Sequence, residues 1–368
     1  MKFVVGGQTF DLYDLDASID KAFLDLYAAY LSKHPCNWAD FEKVAIEFFS
    51  GTGANSSAQD NFFSNFTIIW RRLFNSRRLD EAESLWAMAL RPALTWESQH
   101  PHNFIHKGTP FYFWGGTSIL KGDLDRGYAL MHQAVEEDVR TTEEQFPNTP
   151  AFALVTLNYA KVDQFFRGWV LLQAELLIEL IKTYCTSHDK QLSLDEFRNR
   201  FLLIPPNRDT VFLFAYTLAR LLRLQNVPGY ALRSDFAGQL EMNLLFDMTL
   251  VIDAATKVKN PNHQGMFRSH AAFLSDRADL GLNWDDLGHV NGKFNEDFDS
   301  TLAAVLDGSF RFNEDSILSG LAGDLAIAYG LRNHAAHNVS SVSTIWKRFP
   351  DIQQSLFNVL FLSVEVLY

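Results

Sequence analysis

The sequence predicts an all-α protein. Three observations lead there. Apolar residues recur at three- and four-residue spacings through nearly the whole chain, short Gly, Asn, Asp or Pro breaks separate the segments so patterned, and 32 Phe stand against 20 Gly and 11 Pro. With 368 residues, 47% hydrophobic and 14% aromatic, the chain has core enough for two domains.

Strand is predicted only at the start, where residues 3–12 alternate around Gly6-Gly7 and suit a small hairpin. Helices follow at 17–32, 38–50, 59–75, 79–92, 110–121, 123–138, 151–160 and 163–186, and their short connections make an α-hairpin array. Two segments in it look alike: Phe74-Asn75-Ser76-Arg77-Arg78-Leu79-Asp80-Glu81-Ala82 and Ile119-Leu120-Lys121-Gly122-Asp123-Leu124-Asp125-Arg126-Gly127. Each is a helix end, a polar turn and the start of a new amphipathic helix. Over residues 59–138 they resemble the turn of tetratricopeptide-type repeats, and the resemblance implies a surface for a protein partner on this N-terminal region.

A polar run from Thr186 to Leu194 separates two strongly helical regions and sets the domain boundary, giving 1–188 and 189–368. The second domain reads as a bundle with helices at 194–203, 208–224, 233–258, 314–337 and 351–368. Helix 314–337 carries start signals: Asn313 as N-cap, Glu314 and Asp315 in the first turn, and a Phe312/Ile317 staple. Its stripe of Ser316, Gly320, Gly323 and Gly330 costs helix propensity and so predicts the close approach of a neighbouring helix. Residues 259–312, rich in Asn, Asp, Gly and His, read as an inserted irregular loop. Their carboxylates fit no EF-hand spacing and read as solvated surface.

Helix 314–337 ends in Leu331-Arg332-Asn333-His334-Ala335-Ala336-His337-Asn338, which places more usable chemistry in fewer residues than any other segment. Arg supplies a permanent forked cation for phosphate, His exchanges protons near neutral pH, and Asn adds an orienting amide. Asn333 and His337, four apart, share a helix face, and Arg332 lies about 100° round and can reach across. Asn338, which tolerates the left-handed conformation, reads as the stop. Cleaving RNA through its own 2′-hydroxyl requires proton transfer and stabilisation of charge on phosphate, which such residues can provide without a metal.

The stretch Arg332-Asn333-x-x-x-His337 resembles the Arg-x4–6-His signature of the HEPN superfamily, small α-helical domains many of which are metal-independent ribonucleases. The resemblance covers at most about the last 160 residues. It implies a C-terminal HEPN-like bundle in which Arg332 binds the scissile phosphate, Asn333 orients the site, and His337 acts on the ribose 2′-hydroxyl or the leaving oxygen. It also implies RNA as partner and a homodimer whose two motifs form one cleft. His334 falls on a variable position and receives no role. A second copy of the spacing, Arg126 to His132, lacks the polar follower and lies inside an ordinary amphipathic helix, so it reads as structural.

The formal net charge of −12 excludes a broad phosphate-neutralising surface, so RNA contact must be local, through Arg332 with Lys347 and Arg348, or come from a second chain. Cys36 and Cys185 stand apart without metal-ligand spacing and predict reduced thiols in a cytoplasmic protein. The N-terminus has too short an apolar run for a signal peptide, and the most apolar stretch, 169–181, is interrupted by Gln173, Glu175 and Glu179, so no membrane partner is expected. No cofactor is expected either. His100, His102 and His106 lack a supporting carboxylate or Cys at known metal spacing, and Gly115-Gly116-Thr117-Ser118 lacks the order of a phosphate loop. Aromatic runs such as Phe111-Tyr112-Phe113-Trp114 read as core packing. Glu241, Asp247 and Asp253 share helix 233–258, and one of them can hold the guanidinium of Arg332, with nothing in the sequence to choose among them. The alternative to a ribonuclease is a non-catalytic helical scaffold whose C-terminal bundle only dimerises.

Overall fold

The computed structural model of the chain describes all residues except 1, 6–7, 53–55, 226–234, 261–264, 312–316 and 338–342. The all-α expectation holds: the described residues form 17 α-helices and a single two-stranded hairpin. They divide into two compact units, Met1–Leu154 with Lys161–Phe166, and Val155–Ala160 with Arg167–Tyr368.

In the first unit, β1 (Lys2–Val5) pairs antiparallel with β2 (Gln8–Asp11), Val4 opposite Thr9. Then come α1 (Ala17–Ser32), α2 (Trp38–Thr52), α3 (Ser56–Asn75), α4 (Leu79–Gln99), α5 (Gly108–Lys121), α6 (Leu124–Thr142) and α7 (Pro150–Val155). Asp16 opens α1 by accepting from the backbone N–H groups of Ser18 and Ile19, satisfying two of the helix's orphan donors. The core is aromatic: Phe23 meets Phe41, Phe62 and Phe66 edge to face at 5.2, 5.4 and 5.0 Å. The two similar segments of the sequence are the turns α3–α4 and α5–α6, and both close alike, by Arg78 N–H to Leu73 O and Asp123 N–H to Ser118 O, each 2.9 Å, around a left-handed residue, Arg77 or Gly122. The α5–α6 hairpin is tight, because a Cβ on Gly115 would lie 2.9 Å from the Gly127 carbonyl oxygen.

Two helix ends differ from the sequence expectation in this region. The helix predicted to stop at Pro92 runs to Gln99, because Ala89, Leu90, Ala93 and Trp96 continue its buried face and outweigh the lost backbone hydrogen bond. The helix predicted at 151–160 ends at Val155, just before Leu157 turns to a left-handed φ of 58°.

The second unit holds most of α8 (Gln164–His188), then α9 (Leu194–Phe197), α10 (Arg208–Gln225), α11 (Asp235–Lys259), α12 (Phe267–Arg277), α13 (Trp284–Glu296), α14 (Phe298–Leu306), α15 (Gly320–His337), α16 (Ser343–Lys347) and α17 (Phe349–Leu367). α17 is buried all round, from Ile352 and Leu356 through Phe361 and Val364, and packs on α11 and α15. The C-terminal half of α8 packs there too: the Tyr184 ring lies 5.5 Å from that of Phe361 and its hydroxyl donates to Glu365 at 2.6 Å. The polar run 186–194 is therefore a turn within this unit, capped by Ser193 and Glu196 in a reciprocal box. Past it, the predicted helix 194–203 is one α-turn and a π-helical turn, Arg198–Leu202.

The largest correction concerns 259–312, which is not an irregular loop but carries α12, α13 and α14. The Asn and Asp residues that suggested a loop are helix caps: Asn283 and Asp286 form a capping box at α13, and Asp297 caps α14 through the Ser300 N–H. Behind the caps, Leu287, Val290, Phe294, Phe298, Leu302 and Val305 supply short buried faces. No helix among the described residues is long and apolar enough to cross a membrane.

Candidate functional site

The helix that carries the Arg–Asn–His motif, α15, begins at Gly320 and not at 314. Gly320 has a φ of +57°, a conformation that favours glycine at this entry. The expected cap Asn313 and first-turn acids Glu314 and Asp315 lie outside the described residues, as do Phe312 of the staple, Ser316 of the stripe and the expected stop Asn338. Further along, Gly330 of the small-residue stripe receives a close neighbour, while Gly320 meets nothing within 4 Å and Gly323 only ordinary contacts. A Cβ on Gly330 would lie 2.6 Å from Cδ2 of Phe294, so the α13 ring sits directly on the α15 backbone. That contact, with Leu325, Ala328 and Leu331 fully buried, fixes the rotation of the helix and hence where its last turn points.

Arg332 faces α11. Its Nη2 lies 3.8 Å from Asp253 Oδ2, its Cζ stands 5.1 Å from the centre of the Phe246 ring, and its side chain remains 25% exposed. Asp253 also hydrogen-bonds Nδ1 of His270, a residue of α12 that is 2% exposed. Of the three acids on α11, Asp253 is thus the one that meets Arg332. Asp247 pairs with Arg220 of α10, and Glu241, buried and with no ion pair among the described residues, has its carboxyl pushed up to about 7 by burial.

Asn333 turns toward α13, where its Nδ2 donates to Asn291 Oδ1 at 2.8 Å. His334 stacks on Phe298 with centroids 3.8 Å apart. His337 closes α15, one turn beyond Asn333 on the same face, and its side chain lies outside the described residues. The described side chains of Arg332 and Asn333 therefore engage different neighbours, α11 and α13. His132, in the second copy of the spacing, lies 3.7 Å from Glu136 one turn on along α6.

The arrangement offers a partly open guanidinium, held between a carboxylate and an aromatic face, near the C-terminal end of α15. Sequence reasoning missed His270, seventeen positions from Asp253 (270 − 253), because no linear spacing links α11 to α12 across undescribed residues 261–264. It also missed a polar group in which His188, Asp324 and Asn358 meet from α8, α15 and α17.

Other candidates resolve into packing. His100 stacks on Trp96 at 4.4 Å, and His106 lies between Asp138 and Asp60 at 3.2 and 3.4 Å, which raises its pKa to about 9: burial opposes the charge, and the two carboxylates prevail. Gly115-Gly116-Thr117-Ser118 lies within α5, and Lys121 ion-pairs with Asp80 and Glu83. Both cysteines are unbridged, and no group of three or more His, Cys, Asp or Glu suited to a metal occurs among the described residues. Compared with known proteins, the chain matches no family model, no curated protein and no solved structure.

Proposed function

We propose that this chain is an RNA endonuclease working without a metal, in which Arg332 holds the scissile phosphate, His337 moves protons at the reacting oxygens and Asn333 orients the site. The 2′-oxygen bonds to phosphorus as the bond to the 5′-oxygen breaks; the 2′-hydroxyl proton leaves to a base, the 5′-oxygen takes a proton from an acid, and a 2′,3′-cyclic phosphate and a 5′-hydroxyl result. The observation that carries the reading is the bracing of Arg332 by Asp253 and Phe246, which orders a guanidinium at the surface while leaving it open to a ligand. The likeness of Arg332-Asn333-x-x-x-His337 to the HEPN motif supplies the roles. It also supports a homodimer, since pooling two motifs gives a chain of net charge −12 a local patch of cations for a polyanion.

The test is purified protein with mixed RNA in the presence of a chelator. Products should end in 2′,3′-cyclic phosphate, His337→Ala should lower cleavage by on the order of 10²-fold or more, and His132→Ala should leave it unchanged. Arg332→Lys keeps the charge beside Asp253 and removes the fork, so it should lose activity while the protein still folds. Activity that vanishes with chelator and returns with a divalent ion overturns the proposal.

A second reading, a non-catalytic scaffold that assembles through its C-terminal bundle, is favoured by the internal engagement of Asn333 with Asn291. It predicts that the His337 and Arg332 variants change assembly or stability and that no cleavage is detected at any protein concentration.

A further inference from the structure

Asp324 is 9% exposed, and among the described residues no Lys or Arg ion-pairs with it. The hydrogen bonds around it can be assigned atom by atom. The Leu180 carbonyl can only accept, so the Gln354 atom 3.1 Å from it is the donor Nε2, which also donates to Asn358 Oδ1 at 2.8 Å. The other amide atom of Asn358 is then the donor Nδ2, and it reaches Asp324 Oδ2 at 2.8 Å and His188 Nε2 at 3.1 Å. His188 Nε2 thus faces both the Asn358 amide and, at 3.4 Å, the Asp324 carboxylate.

Asp324, His188 and Asn358 line an open pocket of about 200 Å³ in the second unit, with Val305, Leu306 and Ile327 on its apolar side. Ser355, also on the wall, is 6% exposed, and its hydroxyl makes no hydrogen bond among the described residues. Asp324 Oδ1 is likewise without one. The pocket so combines a carboxylate with no Lys or Arg partner among the described residues, a hydroxyl free to accept and an apolar wall, in a volume that holds on the order of six waters at ~30 Å³ each. Asp324 precedes Arg332 by eight residues, about 12 Å along α15, so this is a separate place from the motif.

We propose that the cavity binds a small organic cation with N–H donors, an alkylammonium or alkylguanidinium, whose charged head meets Asp324 and Ser355 and whose alkyl part lies on Val305, Leu306 and Ile327. The site does not depend on the ribonuclease reading. Calorimetry on the full chain with propylammonium and methylguanidinium, against propan-1-ol and propionate at equal ionic strength, tests it. Either cation should bind at least 10-fold more tightly than the alcohol, with propionate silent. Asp324→Asn, which keeps the shape and removes the charge, should abolish the preference, and Ser355→Ala should weaken binding about 3-fold or more while the melting temperature stays near that of the parent protein. Preference for the ammonium over the guanidinium identifies a point-charge head, and the reverse a forked one; both sustain the proposal. Equal binding of cation and alcohol, or Ser355→Ala protein that folds and binds the cations undiminished, overturns it.

Discussion

The Arg332 guanidinium lies 3.8 Å from Asp253, the same carboxylate that takes Nδ1 of the buried His270, so one side chain ties α15, α11 and α12 together. An amide in its place keeps one acceptor oxygen and turns a donor toward either the guanidinium or the imidazole, in a region only partly reached by water. Asp253→Asn should therefore cost about 1–3 kcal/mol in urea unfolding. A loss below about 0.5 kcal/mol would show that the tie contributes little, as exposed ion pairs do.

Legibility of the sequence followed the range of the interactions. α1, α10 and α17 could be read closely because period, cap and break all lie within a few positions of one another. α12 to α14 could not, since each is short, and at α13 and α14 the Asn and Asp residues serve caps that a composition scan takes for loop. At the site, Arg332 could be singled out from its own residue type and neighbours. Its partner could not: Asp253, Asp247 and Glu241 lie on one helix, and only the rotation of α11 against α15 decides which meets the guanidinium. Gly330 predicted a close neighbour, but not that the neighbour is Phe294, from a segment that had not been read as helix at all.

His106 gives the first unit a pH-dependent stability. Burial works against its charge, the carboxylates of Asp138 and Asp60 outweigh burial, and the folded pKa rises from 6.5 to about 9. A raised basic group stabilises fully below the unfolded value and loses its effect as pH rises through the folded one. Stability should thus fall between pH 6.5 and 9, by on the order of 1–3 kcal/mol, and His106→Gln should flatten that part of the profile. A parent protein and variant with parallel melting curves from pH 6 to 9.5 would refute the assignment.

Glu241 also makes stability fall as pH rises, in a lower interval and through the cost of its charge. Burial raises its carboxyl from 4.5 to about 7, so ionising it in the folded state is costly, and the cost grows as pH climbs through that interval. Glu241→Gln removes the charge and keeps the shape. The variant should match the parent near pH 4 and exceed it at pH 8 by on the order of 1–3 kcal/mol; equal stability at pH 8 would mean that the folded protein accommodates the carboxylate.

Gly330 and Gly292 make a paired test of helix packing, because both lie within helices, α15 and α13, where alanine has the better intrinsic propensity by about 1 kcal/mol. Their surroundings differ. A Cβ at Gly292 meets nothing within 4 Å, whereas one at Gly330 would lie 2.6 and 2.7 Å from Cδ2 and Cε2 of Phe294. Gly292→Ala should therefore stabilise by about 0.5–1 kcal/mol, and Gly330→Ala should destabilise by about 1–3 kcal/mol because the ring, fixed in the core, must shift. Phe294→Leu removes the obstructing ring edge at the expense of a cavity. In the double variant with Gly330→Ala the new methyl partly fills that space, so the two changes should cost less together than their separate costs added, by 0.5 kcal/mol or more in a double-mutant cycle. Strict additivity would mean that α13 does not sit on the α15 backbone, and the orientation assigned to the last turn bearing Arg332 and Asn333 would fall with it.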